Sequence, residues 1–359
     1  MEWILIGVLL VIAAMMIAVV GLLLILAVRT MTAAPRRKST RSAASGSRGS
    51  RGEDDDITQV TLGVLDATAP LEEDDEQPEP PLLGSGTRTV PIYSDDGAEV
   101  DEPTFNAPVI LTSAVARTDR GLRRKKNEDS FLVVESASLY VVADGMGGYA
   151  GGEVASRTAV DAIEEAFRTR TFDAPAYGNV PRRASELAQA VQMANLAIHG
   201  HAQMVPALKG MGTTLVAARF APGKGRVYVG HVGDSRCYRL RDGQLAQLTT
   251  DHTLAATGVQ GPQAEWLCQA LGVDPVLKID MVIGTPQVGD VYLLCSDGLT
   301  KMSPTEGIRR VLTDQTDPGM AAQELVRLAI NGGGRDNITV VVIRVETPND
   351  KEARSSSAA

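Results

Sequence analysis

The chain has 359 residues, with 35 Lys+Arg against 44 Asp+Glu for a formal net charge of −9, and 44% of its residues are hydrophobic. Such a length suits two to three domains of roughly 150 residues, or one large domain with appendages. The acidic balance excludes a nucleic-acid binder that relies on a broadly basic surface, aromatics at 4% offer no stacking platform for bases, and Cys237, Cys268 and Cys295 are too widely spaced for a disulfide framework or a zinc site, which points to a reducing compartment.

In chain order, Trp3 to Val28 contains no charged residue. At a rise of ~1.5 Å per residue this stretch is long enough to cross a hydrocarbon core of ~30 Å. It lacks the positive n-region and small-residue cleavage site of a signal peptide, so residues 1–28 are expected to be an uncleaved transmembrane helix that serves as a tether. Arg29, Arg36, Arg37, Lys38, Arg41, Arg48 and Arg51 follow with no acid before Glu53. That bias predicts a single-pass protein of the cell membrane with everything after the helix in the cytoplasm. Residues 29–107 read as a disordered linker, basic and then acidic, because low hydrophobicity and blocks of like charge leave too little apolar surface to offset chain entropy. Its basic part could contact anionic headgroups, and Thr58 and Thr61, just after acids, are candidate phosphate acceptors. Residues 53–102 hold 16 acids and a single base, Arg88, so that outside these segments and Glu2 the chain has 27 basic and 27 acidic residues. The acidity therefore belongs to the linker.

From residue 108 to 346 short apolar runs alternate with Gly and Asp. The runs 138–143, 226–232, 290–295 and 338–343 read as strands, and Glu153 to Arg168 and Ser185 to Gln203 have apolar residues at helical spacing. Strands precede and follow the helix pair without a strand-helix-strand rhythm, which favours an α+β layered domain over a doubly wound parallel sheet. Residues 347–359 read as a disordered tail.

The acids of this domain sit at strand ends beside glycines. Asp144 opens Asp144-Gly145-Met146-Gly147-Gly148, Asp297 precedes Gly298, Asp336 lies in Gly334-Arg335-Asp336-Asn337, Asp234 lies in Gly233-Asp234-Ser235-Arg236, and Glu128-Asp129 precede the strand at Phe131. One strand-end Asp-Gly is ordinary turn chemistry. Several brought to one sheet edge make a set of hard oxygen ligands, which suits Mg²⁺ or Mn²⁺ better than zinc.

The wording and order of these segments resemble the metal-dependent protein phosphatase 2C family in its bacterial form. The matching motifs are Arg124-Lys125-Lys126-Asn127-Glu128-Asp129-Ser130, Asp144-Gly145-Met146-Gly147-Gly148, Gly212-Thr213-Thr214, Val232-Gly233-Asp234-Ser235-Arg236, Leu248-Thr249-Thr250-Asp251-His252, Ala270-Leu271-Gly272, Cys295-Ser296-Asp297-Gly298-Leu299 and Gly334-Arg335-Asp336-Asn337-Ile338-Thr339. The resemblance implies a four-layer αββα sandwich with a metal cleft at one end. It implies that Asp144 bridges two Mn²⁺ or Mg²⁺ ions, with the Gly145 carbonyl and Glu128 on one and Asp297 and Asp336 on the other. It further implies that Asp234 helps hold a third, weaker ion, that Arg124 binds the substrate phosphate, and that Asp129 and Asn337 orient water and the neighbouring carboxylates.

The activity so implied is hydrolysis of phosphoserine and phosphothreonine in proteins by a water held between the metals, opposing a bacterial serine/threonine kinase. Two ions would neutralise the phosphate and lower the pKa of that water, and a guanidinium at Arg124 can grip two phosphate oxygens at once. Two departures from the family stand out. Met146 stands where many eukaryotic relatives have histidine, as is usual in bacterial members, Tyr149 replaces the histidine that commonly follows the Gly-Gly of bacterial members, and none of His199, His201, His231 and His252 matches a general-acid position. The flap between His252 and Ala270 is also short. A catalytically inactive phosphoprotein binder and a partner-switching phosphatase are the alternative readings.

Overall fold

The computed structural model describes residues 57–62 by their backbone, and residues 110–147, 151–170, 172 and 180–348 in full. The expected membrane helix, most of the linker, Tyr149 and most of the tail lie outside these residues. Among the described residues no helix is long and apolar enough to cross a membrane.

The first sheet is built from β1 (Ile57–Leu62), β3 (Asp129–Val134), β4 (Leu139–Met146), β5 (Gly212–Thr213), β6 (Leu215–Ala221), β7 (Arg226–Val232) and β10 (Ile279–Gly284). Its order is β1-β10-β7-β6-β4-β3, with β5 paired to β4. The second comprises β2 (Leu111–Asp119), β8 (Arg236–Arg241), β9 (Gln244–Gln247), β11 (Val291–Cys295) and β12 (Ile338–Glu346) in the order β2-β12-β11-β8-β9. All ladders are antiparallel. Helices α1 (Gly151–Thr169) and α2 (Arg182–Met204) cover the outer face of the first sheet, and α3 (Asp297–Thr300), α4 (Thr305–Asp314) and α5 (Pro318–Asn331) that of the second.

Side chains on a strand alternate between its two faces, and here each face of the central strands meets a different core. Leu139, Val141 and Ala143 of β4 pack beneath α1 and α2, while Tyr140 and Val142 point into the layer between the sheets. In β12, Val341, Ile343 and Val345 enter that middle layer, and Ile338, Val340 and Val342 pack beneath α5. Burial on both faces explains why these strands read as continuous apolar runs rather than alternating ones.

One strand and two helices differ from the sequence expectation. Residues 57–62, placed in the linker from composition, form β1 on the edge of β10, with Ile57 opposite Gly284 and Leu62 opposite Ile279. Four of the six residues are β-branched, and the free edge of β10 supplies the main-chain partners. Helices α4 and α5 were not among the two expected from spacing, since Gly307, Pro318 and Gly319 weaken the periodic signal. The local start signal of α5 is nonetheless present: Pro318 stands at its first position and the Asp317 carboxylate accepts from Met320 N–H at 2.7 Å.

Phe220 lies at the centre of the middle layer, edge-on to Tyr292 at 5.1 Å and to Tyr140 at 6.0 Å between ring centroids. Phe220→Ala should cost about 3–5 kcal/mol of stability, read from the urea midpoint of the full chain.

Candidate metal centre and active site

The antiparallel order brings the carboxylates together. β4 carries Asp144 and Gly145 just before its last residue, β7 runs into Gly233-Asp234, β11 runs into Ser296-Asp297, and β12 is entered through Asp336-Asn337. These ends share one side of the sandwich and enclose a cleft of about 310 Å³. Arg124, Glu128, Asp144, Gly145, Asp234, Asp297 and Asp336, the seven residues expected to meet metal or phosphate, all line it.

Asp129 and Asn337 sit behind the lining. Asp129 is buried, and its Oδ2 accepts from Ser296 Oγ at 2.8 Å and Thr339 Oγ1 at 2.7 Å, tying the first sheet to the second. Asn337 Oδ1 accepts from Glu128 N–H at 2.8 Å, and its Nδ2 donates to the carbonyls of Arg120 and Lys126 at 2.9 Å each. Glycine is required at 145 because a Cβ there would lie 2.1 Å from the Gly152 carbonyl oxygen and 2.5 Å from that of Glu128. The N-terminal turn of α1 thus sits directly on the strand end that carries Asp144.

The electrostatics are those of an uncompensated anionic site. Burial, followed by the charges of Asp129, Asp297, Asp234 and Asp336, pushes the Asp144 carboxyl well above its ordinary range. Burial and Asp297 raise Asp234 to about 6 against the opposing charge of Lys301. Burial raises Asp129 to about 7 despite its two hydroxyl donors. Asp297 Oδ1 and Asp129 Oδ1 are buried with no hydrogen-bond partner. An all-oxygen donor set with orphaned acceptors, crowded so closely that its ionised form is disfavoured, fits divalent cations of the Mg²⁺ and Mn²⁺ type.

Two cations of the protein reach into the cleft. Arg124, half exposed at the mouth, donates to Asp336 Oδ2 at 2.7 Å. Lys301 contacts Asp297 Oδ2 across one turn of α3. Lys301 escaped the sequence reading, although its i,i+4 spacing from Asp297 is a recognisable signal. Glu265 and Leu267 of the flap also line the cleft; their place depends on the Thr253–Leu267 bridge and on Leu254 N–H donating to the Trp266 carbonyl at 2.9 Å, which are not local signals. No histidine or cysteine lines the cleft. Cys237 and Cys295 are buried, with Cys295 pushed up to about 12 chiefly by desolvation, so a thiolate nucleophile is excluded there.

A two-sheet sandwich with a carboxylate cleft at the strand ends defines the class: a divalent-metal centre carried by an αββα scaffold. The family model of protein phosphatase 2C matches residues 122–328, and the chain belongs to that family. The serine/threonine protein phosphatase PstP of Mycobacterium tuberculosis is 41% identical over 244 residues, covering 64% of this chain but 44% of that protein, so the chain matches less than half of this relative's length. The serine/threonine phosphatase stp of Listeria welshimeri is 37% identical over 241 residues, covering 63% of this chain and 93% of that protein. The crystal structure of the PstP catalytic domain in complex with two manganese ions is 38% identical, with a TM-score of 0.57, and covers 66% of this chain and 99% of that one. Stp1 of Staphylococcus aureus is 30% identical, with a TM-score of 0.59, and covers 68% and 99%.

The raised carboxylates set a pH dependence. Between the usual carboxylate range and pH 7, Asp129, Asp144 and Asp234 hold protons in the folded metal-free chain that they have lost in the unfolded chain, so the stability they contribute falls as pH rises. Melting temperatures in EDTA should therefore drop from pH 5 to pH 7 relative to Asp234→Asn, and Mn²⁺ should restore them; a pH-independent difference between the two proteins would contradict this electrostatic account.

Proposed function

We propose that the chain is a metal-dependent protein-serine/threonine phosphatase that removes phosphate from phosphoserine and phosphothreonine in proteins and opposes a serine/threonine kinase. The observation that carries this reading is the convergence of Glu128, Asp144, Asp234, Asp297 and Asp336 from both sheets on one open cleft with Arg124 at its mouth.

Asp144, the Gly145 carbonyl and Glu128 would hold one ion, and Asp144 with Asp297 and Asp336 a second, with Asp234 serving a third. When bound, Mn²⁺ or Mg²⁺ supplies positive charge to the phosphate and lowers the pKa of water towards 7. Arg124 receives the phosphate through its planar fork. It is prepared for this at rest, because Asp336 holds its guanidinium at the cleft mouth. Asp129 and Asn337 keep their neighbours in place from behind, and Lys301 offsets the charge of Asp297. The cleft's openness to solvent suits a phosphorylated side chain presented on a protein surface.

The charge-free stretch Trp3 to Val28 and the seven basic residues that follow it support a membrane-tethered enzyme with a cytoplasmic catalytic domain.

Hydrolysis of a phosphothreonine peptide should require Mn²⁺ or Mg²⁺ and be abolished in Asp144→Asn and Asp297→Asn; full turnover in excess EDTA would sink the proposal. Arg124→Ala should lower kcat/KM by roughly 10- to 100-fold, the scale of about 1.5–3 kcal/mol for a charge-assisted hydrogen bond. Metal binding to the wild type without any turnover would instead favour a phosphoprotein scaffold.

A further inference from the structure

The segment Leu248-Thr249-Thr250-Asp251-His252 contributes nothing to the cleft lining, yet it is tied to the loop that presents Asp234. His252 makes two bonds to one residue. Its backbone N–H donates to the Gly233 carbonyl at 2.9 Å, and its ring Nδ1 accepts from Gly233 N–H at 3.2 Å. On the far side of Asp234, the Asp251 carboxylate takes Arg236 Nε at 2.9 Å and Nη2 at 2.6 Å. Asp234 is therefore suspended between two clamps supplied by adjacent residues.

The Gly233 clamp matters because of that residue's conformation. Its φ is +102°, and a Cβ added there would lie 2.7 Å from the Thr214 Cβ, so the turn admits glycine alone. With no side chain to anchor it, the turn is steadied through its main-chain N–H and C=O, both of which His252 engages.

Accepting from Gly233 N–H requires an unprotonated Nδ1, which places the proton of the neutral ring on Nε2. Asp280 on β10 supplies the reason for that tautomer: its Oδ2 lies 3.3 Å from His252 Nε2 and attracts the N–H dipole without an aligned hydrogen bond. His231, directly opposite Asp280 in the ladder, stacks on the His252 ring at 4.7 Å between centroids. Fully buried and unpartnered at both nitrogens, His231 is held neutral, its pKa lowered by burial and by His252 to about 4, so it does not compete for Asp280. Ring nitrogens and carboxylate of this trio lie within 4.8 Å of one another, which is also a donor set for a transition metal. The Gly233 contact speaks against that use, since a ligating imidazole donates its second N–H outward, whereas here the second nitrogen faces a donor.

We infer that His252 is a positioning residue for Asp234, acting through the Gly233 main chain, with Asp280 fixing its tautomer. The inference rests on the phosphatase reading in one respect, that Asp234 is a cation ligand.

The test is calorimetric titration of Mn²⁺ into the full chain, beside phosphothreonine-peptide hydrolysis as a function of Mn²⁺. His252→Ala should weaken the weaker Mn²⁺ event roughly tenfold, the scale seen when a residue supporting a ligand is removed, and saturating Mn²⁺ should recover turnover. His252→Asn, whose Oδ1 can replace Nδ1 as acceptor, should keep most of the affinity. In an Asp234→Asn background His252→Ala should add nothing. Additive effects of the two substitutions, or an Asn variant as weak as the Ala variant, would overturn the inference. An Asp234→Asn chain with unaltered Mn²⁺ binding would instead remove the ligand role of Asp234, while hydrolysis by the wild type tests the phosphatase reading separately. Should His252→Ala fail to fold, Asp280→Asn carries the test, with a smaller loss in the same direction and a shift of the imidazole proton away from Nε2 in ¹⁵N spectra. A wild-type His252 protonated at Nδ1, or stoichiometric Zn²⁺ binding lost in His231→Ala, would also overturn it.

Discussion

More negative charge gathers at one end of this sandwich than the protein around it neutralises, and much of the architecture exists to hold that imbalance in place. Asp144 is at once partly buried and within the field of Asp129, Asp234, Asp297 and Asp336. Left to themselves, such groups would separate, take up protons or draw in water. The chain prevents separation by anchoring each carboxylate to a strand end or helix start whose other residues are locked into one of three apolar cores. Arg124 and Lys301 are the cations that line the cleft, and each engages a single acid, so the remaining demand for positive charge is left to divalent ions.

Holding the acids also requires that the two sheets keep their register against each other, and polar contacts at the cleft floor do this. Asp129 reaches from β3 to Ser296 and Thr339, at the end of β11 and the start of β12. Asn337 reaches back to the loop before β3 through three hydrogen bonds. Hydrophobic packing between the sheets is strong but non-directional and sets their spacing, whereas these bonds fix how far one strand end may slide past another. The buried polar residues are therefore where precision in the site originates, at the cost of an orphaned Asp129 Oδ1.

Much of this was legible in the sequence because the site is written in short segments. A strand end, an acid and a glycine fall within four or five residues, so Asp144-Gly145, Ser296-Asp297 and Asp336-Asn337 carry their structural context with them. The two long helices were legible too, expected at 153–168 and 185–203 and found at Gly151–Thr169 and Arg182–Met204. What escaped depends on partners distant in sequence or on weak local periodicity. β1 is a strand because the β10 edge is available to it, and nothing within Ile57–Leu62 announces β10. Glu265 and Leu267 reach the cleft through the folding of the flap on itself, and the two glycines of α4 and α5 dilute an apolar pattern that their packing on the outer face of the second sheet makes decisive.

The histidines show the same division between motif and placement. The resemblance assigned none of the four to catalysis, and none lines the cleft. His199 instead contacts the Gly272 carbonyl at 3.1 Å through Nδ1, while His231 and His252 are stacked behind the Asp234 loop. Met146 lines the cleft. Among the described lining residues there is no thiol or imidazole, and the side chains that carry a titratable proton are the carboxylates, Lys301 and Arg124. A guanidinium does not give up its proton in the neutral range, and the Lys301 pKa is raised: burial, the largest single influence, lowers it, but the charge and hydrogen bond of Asp297 together with the charges of Asp234 and Glu265 outweigh that. Both cations are thus suited to holding charge, not to releasing a proton to a leaving alkoxide. Among the described lining residues this leaves the carboxylates, of which Asp144 and Asp234 have their pKa raised, first by burial and then by neighbouring acids.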